Sequence, residues 1–391
     1  MDWKRLLWWL GPWCNQDRAP KGVVYSDHTI ATEEDAEDFR FRIYRSQRQY
    51  VSVMVLPGLQ PEGLDDLRLD RFCRVLADAG AVVGIPELPT MKRSIMARSV
   101  IAETVVASRF FRKMIQGEHQ DSFGVFCISA SSIAGLHLVR HPEVGRFVHR
   151  IHLFGGFADW REALRFAMTG RIEGVKQVEV DPLSLPVVYM NLLCVFPNFI
   201  EQRLQLPQTM KDCLVTYIHR YVANTWEKPH LKHPEDTRTI AETLYQEMEQ
   251  EMLVKAVDRH HLRAVWMKLC AVEDGGHQPV HQFLDGLSGS LDGELQWLDP
   301  QPLLQHFPIV LDISHGRDDV VVPHPQAFQL GKWSPSNVTN LFVTGLYHHT
   351  GVVSMGRLLA MLLELPKELW TSIQMVRALS RLGDADQFLK K

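Results

Sequence analysis

The stretch Phe123-Gly-Val-Phe-Cys-Ile-Ser-Ala-Ser-Ser-Ile-Ala-Gly135 decides how the rest of the chain is read. Its first six residues are mostly apolar, which suits a strand buried on both faces. Small residues follow at once, and Ile133 to Val139 then carry a helical pattern. A strand that turns directly into a helix at Ser129 presents that hydroxyl at a sharp turn. An exposed nucleophile needs such a turn, with small neighbours two residues to either side so that helix and strand can pack. In a G-x-S-x-G turn both neighbours are glycine. Here they are Cys127 and Ser131, small but not glycine. The same letters also suit a plain strand end followed by helix N-caps, a role open to Ser129, Ser131 and Ser132.

Outward from this turn, strands and helices alternate. Val51-Ser-Val-Met-Val-Leu56 reads as a buried strand ending at Pro57-Gly58. Asp65 and Asp66 are N-cap candidates for a helix with Leu69, Phe72, Val75, Leu76 and Ala79 on one face, closed by Gly80. Ala81–Ile85 is a second strand, a helical pattern covers about 95–116, and Ile151–Phe154 is a fourth strand after Phe123–Ile128. This alternation predicts an α/β fold with a mainly parallel sheet flanked by helices.

The alternation stops after Phe154 and resumes at Ile309–Ile313, followed by Leu341–Val343 and a C-terminal helix over roughly 356–382. The interval is too long for one βα connection. It is read as an inserted helical cap over 182–299, its helices separated by Pro197, Pro207, Pro229 and Pro234. The core is then 51–181 and 300–391, with 1–50 as an N-terminal extension and lead-in strands. The cap residues Tyr189, Met190, Leu192, Leu193, Phe196 and Phe199 suit either an acyl pocket or a face packed on the sheet domain.

Two later segments hold candidates for a hydrolytic site. Ser314-His-Gly-Arg-Asp-Asp319 follows the strand at 309–313, and an acid in this loop could orient a catalytic histidine. Asp319 and Asp318 compete for that role, while Asp312 reads as a strand residue. Thr344-Gly-Leu-Tyr-His-His-Thr-Gly351 follows the last strand and offers His348 and His349 as a general base. The chain order is serine, aspartate, histidine.

These segments resemble the α/β-hydrolase family, in a bacterial-type branch with a large helical insertion. Pro57-Gly-Leu-Gln-Pro-Glu-Gly63, with Asp66 to Leu69 and Ala79-Gly80, is similar to that branch's oxyanion loop and first helix. Ile85-Pro-Glu-Leu-Pro89 is similar to the strand end that follows, and Gly155-Gly-Phe157, Ala163–Phe166 and Gly170 to the segment after the fourth strand. The resemblance covers about 50–180 and 305–355 and leaves the cap uncovered. It implies a serine esterase or lipase in which Ser129 is the nucleophile, Asp319 the acid and His349, in preference to His348, the base. It also implies oxyanion donors at the backbone N–H groups of Leu59 and Ala130. The departures at Cys127 and Ser131 keep a second expectation open, a weak or inactive binding protein of the same fold. A third is an acyltransferase using the same triad.

Composition narrows the partners. The chain has 391 residues, 46% hydrophobic and 23% charged, which excludes a disordered or collagen-like chain. Its net charge of −4 gives no electrostatic preference for nucleic acid. The expected partner is a small-molecule or lipid-like acyl substrate. The six cysteines, at 14, 73, 127, 194, 213 and 270, form no CxxC pair and read as reduced thiols in a cytoplasmic protein. Cofactor and metal are both expected to be none. His260 and His261 are adjacent on a helix and diverge by about 100°, and Gly275-Gly276 has no phosphate-loop context. Lys4-Arg-Leu-Leu-Trp-Trp-Leu10 is too short for a secretory signal. Residues 1–13 read either as an amphipathic segment packed on the body or as a peripheral membrane contact.

Overall fold

The computed structural model describes residues 1–11, 13–31, 37–117, 121–171, 180–196, 198–226, 234–251, 258–286, 295–334, 338–348, 351–352 and 365–384. By internal contacts the chain divides into two compact units. One comprises Met1–Lys92, Arg98–Trp160 and Trp297–Lys391, the other Arg93–Ala97 and Arg161–Gln296.

The first unit is built on eight strands: β1 (Val24–Ile30), β2 (Phe39–Arg45), β3 (Val51–Leu56), β4 (Ala81–Pro86), β5 (Phe123–Ile128), β6 (Val148–Phe154), β7 (Val310–Gly316) and β8 (Val338–Thr344). They form one sheet in the order β1-β2-β4-β3-β5-β6-β7-β8. β2 runs antiparallel to both of its neighbours, and the pairings from β4 through β8 are all parallel. Every residue of β3 and β4 is buried, as expected of central parallel strands covered on both faces. β1, at the edge, is exposed along most of its length.

Five helices of this unit are α1 (Trp3–Leu10), α2 (Leu67–Asp78), α3 (Pro89–Lys92), α4 (Ser99–Ile115) and α5 (Ser131–Arg140). α2 starts where Asp66 accepts hydrogen bonds from the Arg68 and Leu69 N–H groups, satisfying two donors that the first turn leaves open. The chain leaves it through Gly80 at φ +104°, where the Tyr50 ring fills the space of a Cβ. On one sheet face, Val53, Val55, Val83, Ile85 and Phe126 pack with Leu69, Val75 and Leu76 of α2. Val376 and Leu379 of the C-terminal helix, Leu365–Ser380, belong to the same cluster. On the other face, Phe111 of α4 meets Phe41 and Phe123.

α1 joins the first cluster through Leu6, which is fully buried. Arg5 and the Trp9 indole N–H both bond to Asp78, while Trp8 and Trp13 remain exposed. The amphipathic segment is therefore packed on the body. Among the described residues no helix is long and apolar enough to cross a membrane. Of the expected C-terminal helix, 365–380 is helical, and 353–364 lie outside the described residues.

The second unit is helical. Its helix Ser184–Val195 is apolar on nearly every side and buries Tyr189, Met190, Leu192 and Leu193. Phe196 and Phe199 stack edge-on against Phe283, and the Tyr189 ring meets Phe199. The Tyr189 hydroxyl donates to the Gly276 carbonyl. These rings pack against one another within the second unit. A helix that is hydrophobic all round needs burial on all sides.

Candidate active site

The parallel pairings bring the carboxyl ends of five strands to one edge of the sheet. Leu56 of β3 aligns with Cys127 of β5, Ile128 with Phe154 of β6, Phe154 with Ser314 of β7, and Gly316 with Thr344 of β8. The segments that follow β3, β5, β7 and β8 contain Leu59, Ser129, Asp319 and His348-His349 respectively. Ligands of open α/β sheets bind outside such strand ends.

Ser129 sits directly between β5 and α5 with φ +54°, in the left-handed region. For a residue with a Cβ this costs roughly 1–2 kcal/mol. The surroundings hold it there. The Ser129 N–H donates to the Phe154 carbonyl at 2.7 Å, and the Ser132 N–H donates to the Ser129 carbonyl at 3.0 Å. The side chain is half-buried.

Both replaced glycines have a physical account. The fully buried Ser131 uses its hydroxyl as a brace. It accepts from the Ile128 N–H at 2.9 Å and lies 2.8 Å from the Leu56 carbonyl, to which it donates. The end of β3 is thereby tied to the turn. Cys127, also fully buried, places its Sγ 2.3 Å from where a Cβ on Gly135 would stand. The room lost on the strand is recovered about one turn into α5. Burial pushes the Cys127 thiol well above its ordinary pKa, so it is no competing nucleophile.

The loop after β3 approaches the same turn. A Cβ on Gly58 would lie 3.1 Å from the Ile128 carbonyl oxygen and 3.3 Å from the Ser129 Cβ, so this position favours glycine. The loop is anchored further along. The Gln60 N–H donates to the Met91 carbonyl at 3.1 Å, and the Leu64 N–H donates to Glu87 at 3.1 Å. Lys92 pairs with the other Glu87 oxygen at 2.9 Å. Among the described residues, neither the Leu59 nor the Ala130 N–H is taken by a backbone carbonyl.

Asp319 is 2% exposed and accepts from the Val321 and Val322 N–H groups at 2.8 and 2.9 Å through Oδ1. His315, also buried, lies 3.4 Å from the other oxygen, Oδ2, while its Nε2 is 2.9 Å from the Val322 carbonyl. Asp318 is only half-buried. Asp312 lies within β7, where it pairs with Arg150 at 3.0 Å and accepts from the Asn340 amide at 2.7 Å. His349 lies outside the described residues. Of His348 only the backbone is described, in Tyr347–His348 paired antiparallel with Gly351–Val352. Among the described residues no group of three His, Cys, Asp or Glu side chains converges as a metal-ligand set.

A serine on a strained strand-to-helix turn, at the top of a mainly parallel sheet and ahead of an acid and a histidine in chain order, is a distinctive combination. The sheet that carries it, eight strands mostly in parallel and flanked by helices, is the α/β fold expected from the alternation of strands and helices. No family model matches the chain, and no curated protein matches it in sequence. Solved structures of a peptidase and of esterases are similar to it in shape. Pyrococcus horikoshii acylaminoacyl peptidase is 7% identical, with a TM-score of 0.47 over 92% of this chain. The chain spans 41% of that protein's length. An esterase from Pyrococcus furiosus is 11% identical, with a TM-score of 0.44 over 95% of this chain and 97% of its own. The esterase domain of a Rhodothermus marinus protein is 10% identical, with a TM-score of 0.43 over 92% and 98%.

The site contains features that leave no mark in the sequence pattern. Ser131 was read as a small neighbour, without its brace to β3. Gly135 drew no attention because its partner is across the strand–helix interface. Neither leaves a signal in local periodicity.

Proposed function

We propose that the protein is a serine hydrolase acting on an ester or related acyl substrate. The observation that carries this reading is Ser129 held at φ +54° between β5 and α5. Backbone strain of this kind persists where surrounding structure imposes it, and it gathers at functional sites. Ser129 attacks the acyl carbonyl while His349 takes its proton, and Asp319 orients the imidazole and stabilises its charged form. The Leu59 and Ala130 N–H groups hold the oxyanion, the leaving group departs with the proton from His349, and water then releases the acyl group.

Two features favour this reading over an inactive binding protein. The braced Ser131 hydroxyl and the space left by Gly135 give the turn what two glycines would otherwise supply. A fluorophosphonate probe is expected to label Ser129 and no other residue, and short acyl esters to be turned over. Ser129→Ala is expected to abolish labelling and lower kcat by at least about 10³-fold. A chain that is unlabelled and inert toward such esters contradicts the proposal. Faster product formation with an alcohol acceptor than with water would instead identify an acyltransferase.

A further inference from the structure

The C-terminal helix carries one carboxylate in its first turn, Glu368, that is 1% exposed. Its Oε2 accepts from the Thr344 hydroxyl at 2.8 Å and from the Gly345 N–H at 2.8 Å. Its Oε1 accepts from the Arg317 guanidinium. The Thr344 hydroxyl in turn accepts from the Leu346 N–H at 3.1 Å, and the Arg317 N–H donates to the Thr344 carbonyl at 2.8 Å.

These contacts join two segments that are far apart in sequence. Arg317 directly follows β7 and stands two residues before Asp319. Thr344 ends β8, and Gly345 follows it on the way to Tyr347-His348-His349. Leu346, fully buried, packs with Met375 and is flanked by Phe154, Phe342, Leu365 and Leu369. A buried carboxylate is costly unless its charge is paired and hydrogen-bonded, and among the described residues its partners come from these two segments.

We propose that Glu368 is a positioning residue that fixes the acid-bearing segment after β7 against the base-bearing segment after β8. This inference rests on the serine-hydrolase reading. Productive proton transfer depends on the relative placement of base, acid and nucleophile, and a displacement of about 1 Å can cost on the order of 10²-fold in rate. Glu368 acts on that placement through Arg317, Thr344 and Gly345, without touching substrate.

The test uses the full chain with a short acyl ester. Glu368→Gln keeps the shape and removes the charge that Arg317 requires. Its kcat is expected to fall roughly 10- to 100-fold with KM within about twofold of the parent. Arg317→Met is expected to give a similar loss, and the double variant no more than the larger single effect, because both break one bridge. Amide exchange at Gly345 and Leu346 is expected to rise in Glu368→Gln. Should that variant fail to fold, Thr344→Val removes one of the same contacts at constant volume and is expected to lower kcat in the same sense. An active parent whose Glu368→Gln and Thr344→Val forms retain full kcat overturns the positioning role and leaves the hydrolase reading standing. A parent that is neither labelled at Ser129 nor active overturns both, while unchanged exchange at Gly345 and Leu346 overturns the clamp on its own.

Discussion

At the scale of single residues, the turn at Ser129 is governed by volume. The Sγ of Cys127 occupies the space above Gly135, so Gly135→Ala is expected to overpack the strand–helix interface. The loss should be about 1–3 kcal/mol, read from the denaturant midpoint. In a Cys127→Ala background the same change should cost less, because the sulfur clash is gone, the remaining Ile151 Cδ1 contact at 3.0 Å involves a flexible side-chain end, and alanine is the better helix former by roughly 1 kcal/mol. Strict additivity of the two substitutions would show that the two side chains do not share that space. The strand-to-helix turn at Ser129 and the strand position of Asp312 were legible from the sequence. Strand ends and their loops leave a local pattern there, and Asp312 does lie in β7. The Ser131 brace and the Glu368 contacts were not, since each joins residues whose sequence separation leaves no periodic mark.

At the scale of elements, β6 shows what a central strand imposes on its polar residues. His149 and His152 are both buried, and that burial lowers each from its ordinary value to about 4. His152 meets the Ser314 hydroxyl at 2.6 Å, and His149 meets the Leu382 carbonyl at 3.0 Å. Between pH 4 and 6.5 the unfolded chain binds more protons at these positions than the folded one. Stability from their neutral forms is therefore full above about pH 6.5 and falls as pH drops toward 4. At pH 5 the loss is on the order of 2 kcal/mol for each histidine. Melting at pH 7 and pH 5 should show it, and His149→Gln should reduce the difference between the two. The parallel strands themselves were evident as apolar runs of suitable length. The antiparallel placement of β2 beside β4 was not, because pairing order depends on which edges meet after the chain has collapsed.

At the scale of the whole molecule, the chain separates into a sheet-based unit and a helical one. The second unit starts at Arg161 and takes in Arg93–Ala97, which no change of period marks. The N-terminal helix belongs to the sheet-based unit through Leu6. Leu6→Ala is expected to lower its stability by about 2–5 kcal/mol in chemical denaturation, as for other fully buried leucines. An unchanged midpoint would mean that the segment is held by its exposed tryptophans and not by packing. The fit of Cys127 over Gly135 also bears on how such a turn can change over time. With the thiol in place, any side chain at position 135 meets it, so that change at that position is costly until 127 shrinks. Descendants of this chain can regain a glycine on the strand first and only then enlarge the helix residue. The opposite order passes through an overpacked intermediate, which makes the history of this elbow directional.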